Sequence, residues 1–123
     1  MKILIISEKK FFKELGNIRF NLKKHTGVFQ TTEIGKIPTG LNKQKIILDK
    51  DIKLLKECDA LLVCNFKKGK EENHIDQYSL VIISIAYSLQ KKIYLLYDIP
   101  YKYVETLNSL EIESLKGDLK KIM

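Results

Sequence analysis

Tryptophan is absent from the 123 residues, and arginine occurs once, at Arg19. The other 21 of the 22 basic residues are lysines. Proteins that read nucleic acid rely on arginine for bidentate contacts with phosphates and bases. A net charge of +7 carried almost wholly by lysine therefore argues against sequence-specific nucleic-acid binding. The excess is also one-sided. Residues 1–74 carry 16 basic and 9 acidic side chains, whereas residues 75–123 carry 6 of each. The plain reading is a lysine-rich surface on the first part of the chain; the alternative is an anion footprint there.

Cysteine is scarce as well. Cys58 and Cys64 lie on what reads as one strand, where six residues span about 20 Å, beyond disulfide reach. There is no Cys-x-x-Cys, and neither His25 nor His74 has a Cys or His neighbour at ligand spacing. No metal site and no cofactor are expected. Two free thiols suit a reducing compartment, so the expected location is cytoplasmic. The longest nearly apolar stretch, Tyr78 to Leu89, falls short of the about 20 residues that cross a bilayer. The opening MKILIISEKK has an apolar run but no cleavage site, so neither a signal peptide nor a membrane association is expected. The length allows one domain, residues 1–123, with a sizeable core.

Continuous apolar runs alternate with helical patterns. Lys2–Ile6 reads as a strand buried on both faces. Ser7 suits an N-cap and Glu8 a first turn. Phe11, Phe12, Leu15, Ile18 and Leu22 follow helical spacing, Lys23, Lys24 and His25 suit the helix end, and Gly27 closes it. Val28–Ile34 is a candidate strand, and Gly35, Pro38 and Gly40 mark a loop. Signals over 46–55 are mixed, with Asp51–Glu57 helical. Asp59 opens the strand Ala60–Asn65, and Phe66–Asn73 is a charged loop. Ile75–Gln90 is the most apolar helix. Ile93–Tyr97 is a strand, Asp98–Tyr101 a turn, Tyr103–Leu110 a short helix, and Glu113–Leu115 a last strand ended by Gly117. Such alternation predicts an α/β, Rossmann-like (flavodoxin-like) three-layer sandwich with a four- or five-stranded, mainly parallel sheet. Ligands then bind at the carboxyl ends of the strands. The segments to search are Ser7–Lys10, Asn65–Asn73 and Tyr97–Tyr101.

The first of these turns lacks glycine, which excludes a dinucleotide fingerprint. An ordinary capped helix is the plain reading; a phosphate site beside Lys9 and Lys10, weakened by Glu8, is the alternative. A phospho-accepting receiver is disfavoured, because the third strand ends in Asn65 and Asp59 stands at its wrong end.

The segment from Asp59 to Pro100, DALLVCNFKKGKEENHIDQYSLVIISIAYSLQKKIYLLYDIP, resembles the small nucleoside 2-deoxyribosyltransferase-like family, which includes deoxynucleoside-monophosphate N-glycosidases. Asp59, Leu62, Val63 and Asn65 match its strand pattern. Ala86, Tyr87 and Leu89 match its helix, and Lys91, Lys92, Ile93, Leu95, Leu96, Ile99 and Pro100 match the strand and turn beyond that helix. Met1, Lys2, Ile3 and Phe11 at the start and Gly117-Asp118-Leu119 at the end extend the likeness to most of the chain. The resemblance implies a nucleoside or nucleotide ligand, with Ser7, Glu8, Asn65, Tyr78, Ile82 and Tyr97 at binding positions. It also implies a homodimer through the Ile75–Gln90 helix; a core helix in a monomer is the alternative.

The departures concern chemistry. In the family a helix Glu attacks the sugar C1 or stabilises the cation formed there. Ile82 holds that position here, and residues 73–104 contain no Glu at all. Asp76-Gln77-Tyr78 replaces Gly-x-Asn, Ser84 replaces Gly, and Ser7-Glu8 replaces Gly-Ser. The expectation is a degenerate relative that binds a nucleoside, a nucleotide or a protein partner without cleavage. The alternative is an active N-glycosidase or transferase with a relocated carboxylate, Asp98 or Asp76, with Asp59 a further candidate. Tyr94, Tyr97, Tyr101 and Tyr103 read as half-buried aromatics at a strand end, with base stacking as the alternative.

Overall fold

The computed structural model describes residues 1–22, 27–31 and 42–123. Five strands, β1 (Lys2–Ile6), β2 (Gly27–Gln30), β3 (Ala60–Val63), β4 (Lys92–Leu95) and β5 (Glu113–Ser114), make one parallel sheet in the order β2-β1-β3-β4-β5. Among the described residues, four helices, α1 (Phe12–Leu22), α2 (Lys43–Glu57), α3 (Gln77–Ser88) and α4 (Val104–Leu107), flank it. The sheet is therefore Rossmann-like, with the flavodoxin strand order.

Strand residues alternate between two apolar clusters because successive side chains point to opposite faces. Ile3, Ile5, Ala60, Leu62, Cys64 and Leu96 pack with Leu15 and Leu22 of α1 and with Leu115 and Ile122. Leu4, Ile6, Leu61, Val63, Ile93 and Leu95 pack with Leu55 of α2, Ile82, Ile83 and Ala86 of α3, and Leu107 of α4. Each fully buried Leu or Ile stabilises by about 1.5–3 kcal/mol. With both faces covered, a one-residue slip would exchange the two apolar sets while leaving both buried. The register is thus set by side-chain shape and by the ends of the strands. At the amino end, Asp59 Oδ2 accepts from Lys2 N–H at 2.8 Å, and Asp59 N–H donates to the Lys2 carbonyl at 2.8 Å.

Several element ends differ from the sequence reading. Ser7 does not cap a helix: its hydroxyl donates to the Glu8 carbonyl at 3.0 Å, and α1 is entered through a 3-10 turn at Lys9–Phe11. Gly27 begins β2 rather than closing α1. Lys23, Lys24, His25, the end of the Val28–Ile34 strand and the loop of Gly35, Pro38 and Gly40 lie outside the described residues. Helix α2 is longer than expected. Asn42 caps it, its side chain accepting from Lys45 N–H at 3.2 Å. Its pattern was obscured because Asp51, fully buried, occupies the inward stripe between Leu48 and Leu55.

That carboxylate has a partner: Tyr78 Oη donates to Asp51 Oδ2 at 2.6 Å, tying α3 to α2. Burial, and then the bond to Asp51, raise the Tyr78 phenol well above its ordinary value. Burial likewise pushes up both thiols, Cys64 most of all, so neither is a reactive nucleophile.

Two outcomes are expected in urea denaturation. Tyr78→Phe should lower stability by about 1–3 kcal/mol, the effect of removing a partner from a buried carboxylate. Ile82 is fully buried among apolar side chains, so Ile82→Glu should cost about 4 kcal/mol or more.

Candidate functional site

The turn after β1, the loop after β3 and the turn after β4 leave the sheet at its carboxyl edge. The chain from β1 packs α1 on one face, whereas the chain from β3 packs α3 on the other. The crevice between these two strand ends is the topological switch point, where open parallel sheets take up ligands. Ser7 and Glu8 stand on one side of it and Asn65 on the other.

Asn65 holds the edge together. It is fully buried. Its Nδ2 donates to the Asp98 carbonyl at 2.9 Å, and its Oδ1 accepts from Tyr97 N–H at 2.9 Å. Both ends of the amide therefore bind the turn after β4 to the end of β3.

The loop after β3 folds back on itself. Lys68 and Glu71 exchange backbone hydrogen bonds around Gly69, whose φ of +59 suits glycine. His74 N–H donates to the Phe66 carbonyl at 2.9 Å, and the Phe66 ring leans on Phe11, with centroids 5.4 Å apart. The loop then presents a chain of charges. Lys68 Nζ donates to Glu8 Oε1 at 2.7 Å. Glu8 Oε2 lies 2.8 Å from His74 Nε2, although the contact is not aligned as a hydrogen bond. On the other side of the ring, His74 Nδ1 lies 3.0 Å from Glu71 Oε2, and Glu71 Oε1 pairs with Lys102 Nζ.

These contacts shape the electrostatics. Burial raises the Glu8 pKa, but the Lys68 hydrogen bond and charge, with His74, outweigh it and hold the carboxyl below its ordinary value. The hydrogen bonds from Lys102 and then His74 lower that of Glu71, and Lys102 is raised in return. Beside Lys102 an open cleft of about 510 Å³ is lined by Glu71, Asn73, Ile99, Pro100, Tyr101 and Lys102. Tyr101 is 96% exposed at its rim.

The residues named from sequence fall into three groups. Ser7, Glu8, Asn65, Tyr97 and Asp98 gather at the carboxyl edge. Tyr97 is partly exposed, and its ring closes on Gly117, where a Cβ would come within 3.2 Å. Asp98 accepts from Ser114 Oγ at 2.8 Å and from Lys116 Nζ at 3.1 Å, so its carboxylate serves the β5 side; these bonds lower its pKa. Asp76 is the N-cap residue of α3 and accepts from the Ser79 hydroxyl. Tyr78 and Ile82 are engaged in helix packing, and Asp59 sits at the opposite, amino end of the sheet. From sequence, Glu71 reads as a solvated loop carboxylate and His74 only as an unsupported metal ligand, while Lys68 and Lys102 have no assigned role. The only local signal was Glu71 three residues before His74. Among the described residues, no group of three His, Cys, Asp or Glu side chains is arranged to hold a metal ion, and no helix is long and apolar enough to cross a membrane.

No protein-family model matches the chain, and no curated protein matches it. Solved structures do. The chain is similar to a CMP N-glycosidase of Clostridium botulinum, with a TM-score of 0.63, 17% identity, and 99% of this chain and 98% of that one covered. It is similar to a 2-deoxyribosyltransferase of Bacillus psychrosaccharolyticus, at TM-score 0.60 and 18% identity over 77% of this chain and 71% of that one. A Leishmania mexicana 2-deoxyribosyltransferase gives 0.57 and 20%, over 87% and 71%. At these identities the likeness is one of fold. The chain has the nucleoside 2-deoxyribosyltransferase-like fold, in agreement with the resemblance of its Asp59–Pro100 segment.

The lowered Glu8 pKa sets an acid-side test. Stability from a depressed carboxylate is present above the unfolded value of 4.5 and is lost as pH falls through the lower folded value. The stability gap between the native chain and Glu8→Gln should therefore be full at neutral pH and narrow as pH falls below 4.5, as measured by urea denaturation at a series of pH values.

Proposed function

We propose that the chain, acting as one domain, binds a nucleoside or nucleotide at the carboxyl edge of its sheet and does not cleave the N-glycosidic bond. The burial of Ile82 supports this most directly. At the helix position that the resemblance assigns to a catalytic Glu, the chain has a fully buried isoleucine within an apolar cluster. Isoleucine cannot attack C1, accept a proton or neutralise an oxocarbenium ion. Catalysis by a relocated Asp98 or Asp76 is the weaker reading, because each carboxylate is held by partners of its own. Ligand binding draws support from the neighbours of like fold, which are by name 2-deoxyribosyltransferases and a CMP N-glycosidase. A cytoplasmic location fits the two free thiols.

A homodimer through α3 is part of the same proposal. The outer side of that helix carries Val81, 45% exposed, and Tyr87, 51% exposed, beside the exposed Ser84 and Ser88, with no charged residue among them. Covering such a face would remove apolar surface from water. A different protein partner is the alternative occupant.

Two measurements test the proposal. Thermal shift against 2′-deoxynucleosides and their 5′-monophosphates should raise the melting temperature with at least one of them, while chromatography of the same mixtures finds no free base. No shift with any ligand sinks the binding reading, and base release above a boiled control sinks the inactive one. Sedimentation should give a dimer that Val81→Lys, placing like charges across the interface, converts to monomer.

A further inference from the structure

The Glu8 carboxylate is held in the manner of a bound anion. One oxygen takes the Lys68 ammonium at 2.7 Å, and the other faces His74 Nε2 at 2.8 Å. Both partners come from the loop after β3, whereas Glu8 comes from the turn after β1. The anion thus reaches across the switch-point crevice. The fit is imperfect. Glu8 Oε2 and His74 Nε2 are closed to solvent, yet neither has an aligned hydrogen bond. The two oxygens of a carboxylate and two oxygens of a phosphate have nearly the same spacing. A phosphate monoester adds further acceptor oxygens and more negative charge, and makes stronger bonds to the same donors. Glu71 grips His74 through Nδ1 at 3.0 Å and is itself paired with Lys102, so the ring stays oriented when Glu8 leaves.

We infer that Lys68 and His74 form a binding site for a phosphate monoester, and that Glu8 fills this site in the ligand-free chain. The inference rests on the carboxyl edge being the ligand site, and it makes the ligand a nucleotide rather than a nucleoside. Glu8 then competes with the incoming phosphate, so removing its charge should tighten binding.

Isothermal titration with inorganic phosphate tests this without any assumption about the base. Glu8→Gln should bind phosphate at least about tenfold more tightly than the native chain, since a like charge in the site costs that much or more. Lys68→Met should weaken binding by about tenfold. Unchanged or weaker phosphate affinity in a folded Glu8→Gln chain overturns the inference. Should that variant not fold, the native chain decides: phosphate must shift the His74 ring resonances, assigned with His74→Gln, and the absence of a shift overturns it. Titration with 2′-deoxynucleosides and their 5′-monophosphates separates the two proposals. Equal affinity for both sets overturns the phosphate site and leaves nucleoside binding standing. Tight inorganic phosphate with neither set bound leaves the site standing and overturns nucleotide binding.

Discussion

The need to cover both faces of β1, β3 and β4 at once governs the rest of this molecule. These strands carry apolar side chains to either side, and their central residues are buried. A parallel pair also needs a crossover, so each strand is succeeded by a helix that returns along one face or the other. The first crossover covers one face with α1 and later ones cover the opposite face with α2 and α3. A change of side between neighbouring strands leaves a crevice at their carboxyl ends. The crevice is thus a consequence of covering the sheet, and the residues after β1 and β3 inherit it.

At that edge two kinds of polar contact do different work. Asn65 is fully buried, and its two hydrogen bonds fasten the β4 turn to β3. A neutral amide satisfied at both ends is a stable way to hold backbone away from water. The charges of Lys68, Glu8, His74, Glu71 and Lys102 are different. The outer pair, Glu71 and Lys102, is 36% and 51% exposed, so solvent screens it and it adds little stability. Glu8 and His74 are more enclosed; with Lys68 they join the connections after β1 and β3 across the crevice, and Lys102 adds the connection after β4.

Much of the fold was legible in the sequence. The apolar runs at Lys2–Ile6, Ala60–Asn65 and Ile93–Tyr97 could only be strands covered on both faces, and each became one. Helix α2 was half hidden because the polar Asp51 lies on its buried side, where it accepts from the Tyr78 hydroxyl of another helix. Ser7 had the chemistry of a helix cap, but the backbone enters α1 through a tighter turn and the hydroxyl bonds locally. Of the candidate carboxylates, Asp59 could be recognised as a strand-end residue; the partners of Asp98 and Asp76 could not.

The sequence by itself determined the layered architecture, the lysine character of the surface and the absence of a carboxylate on α3 at residue 82. These depend on local pattern, on composition and on the identity of one side chain. Only the tertiary structure decided that His74 stands between Glu8 and Glu71, and that Lys68 and Lys102 complete the row. Glu8 and His74 are far apart along the chain, and no spacing rule links a turn after one strand to a loop after another. The two meet because β1 and β3 pair side by side in register, which places the turn after one strand against the loop after the other.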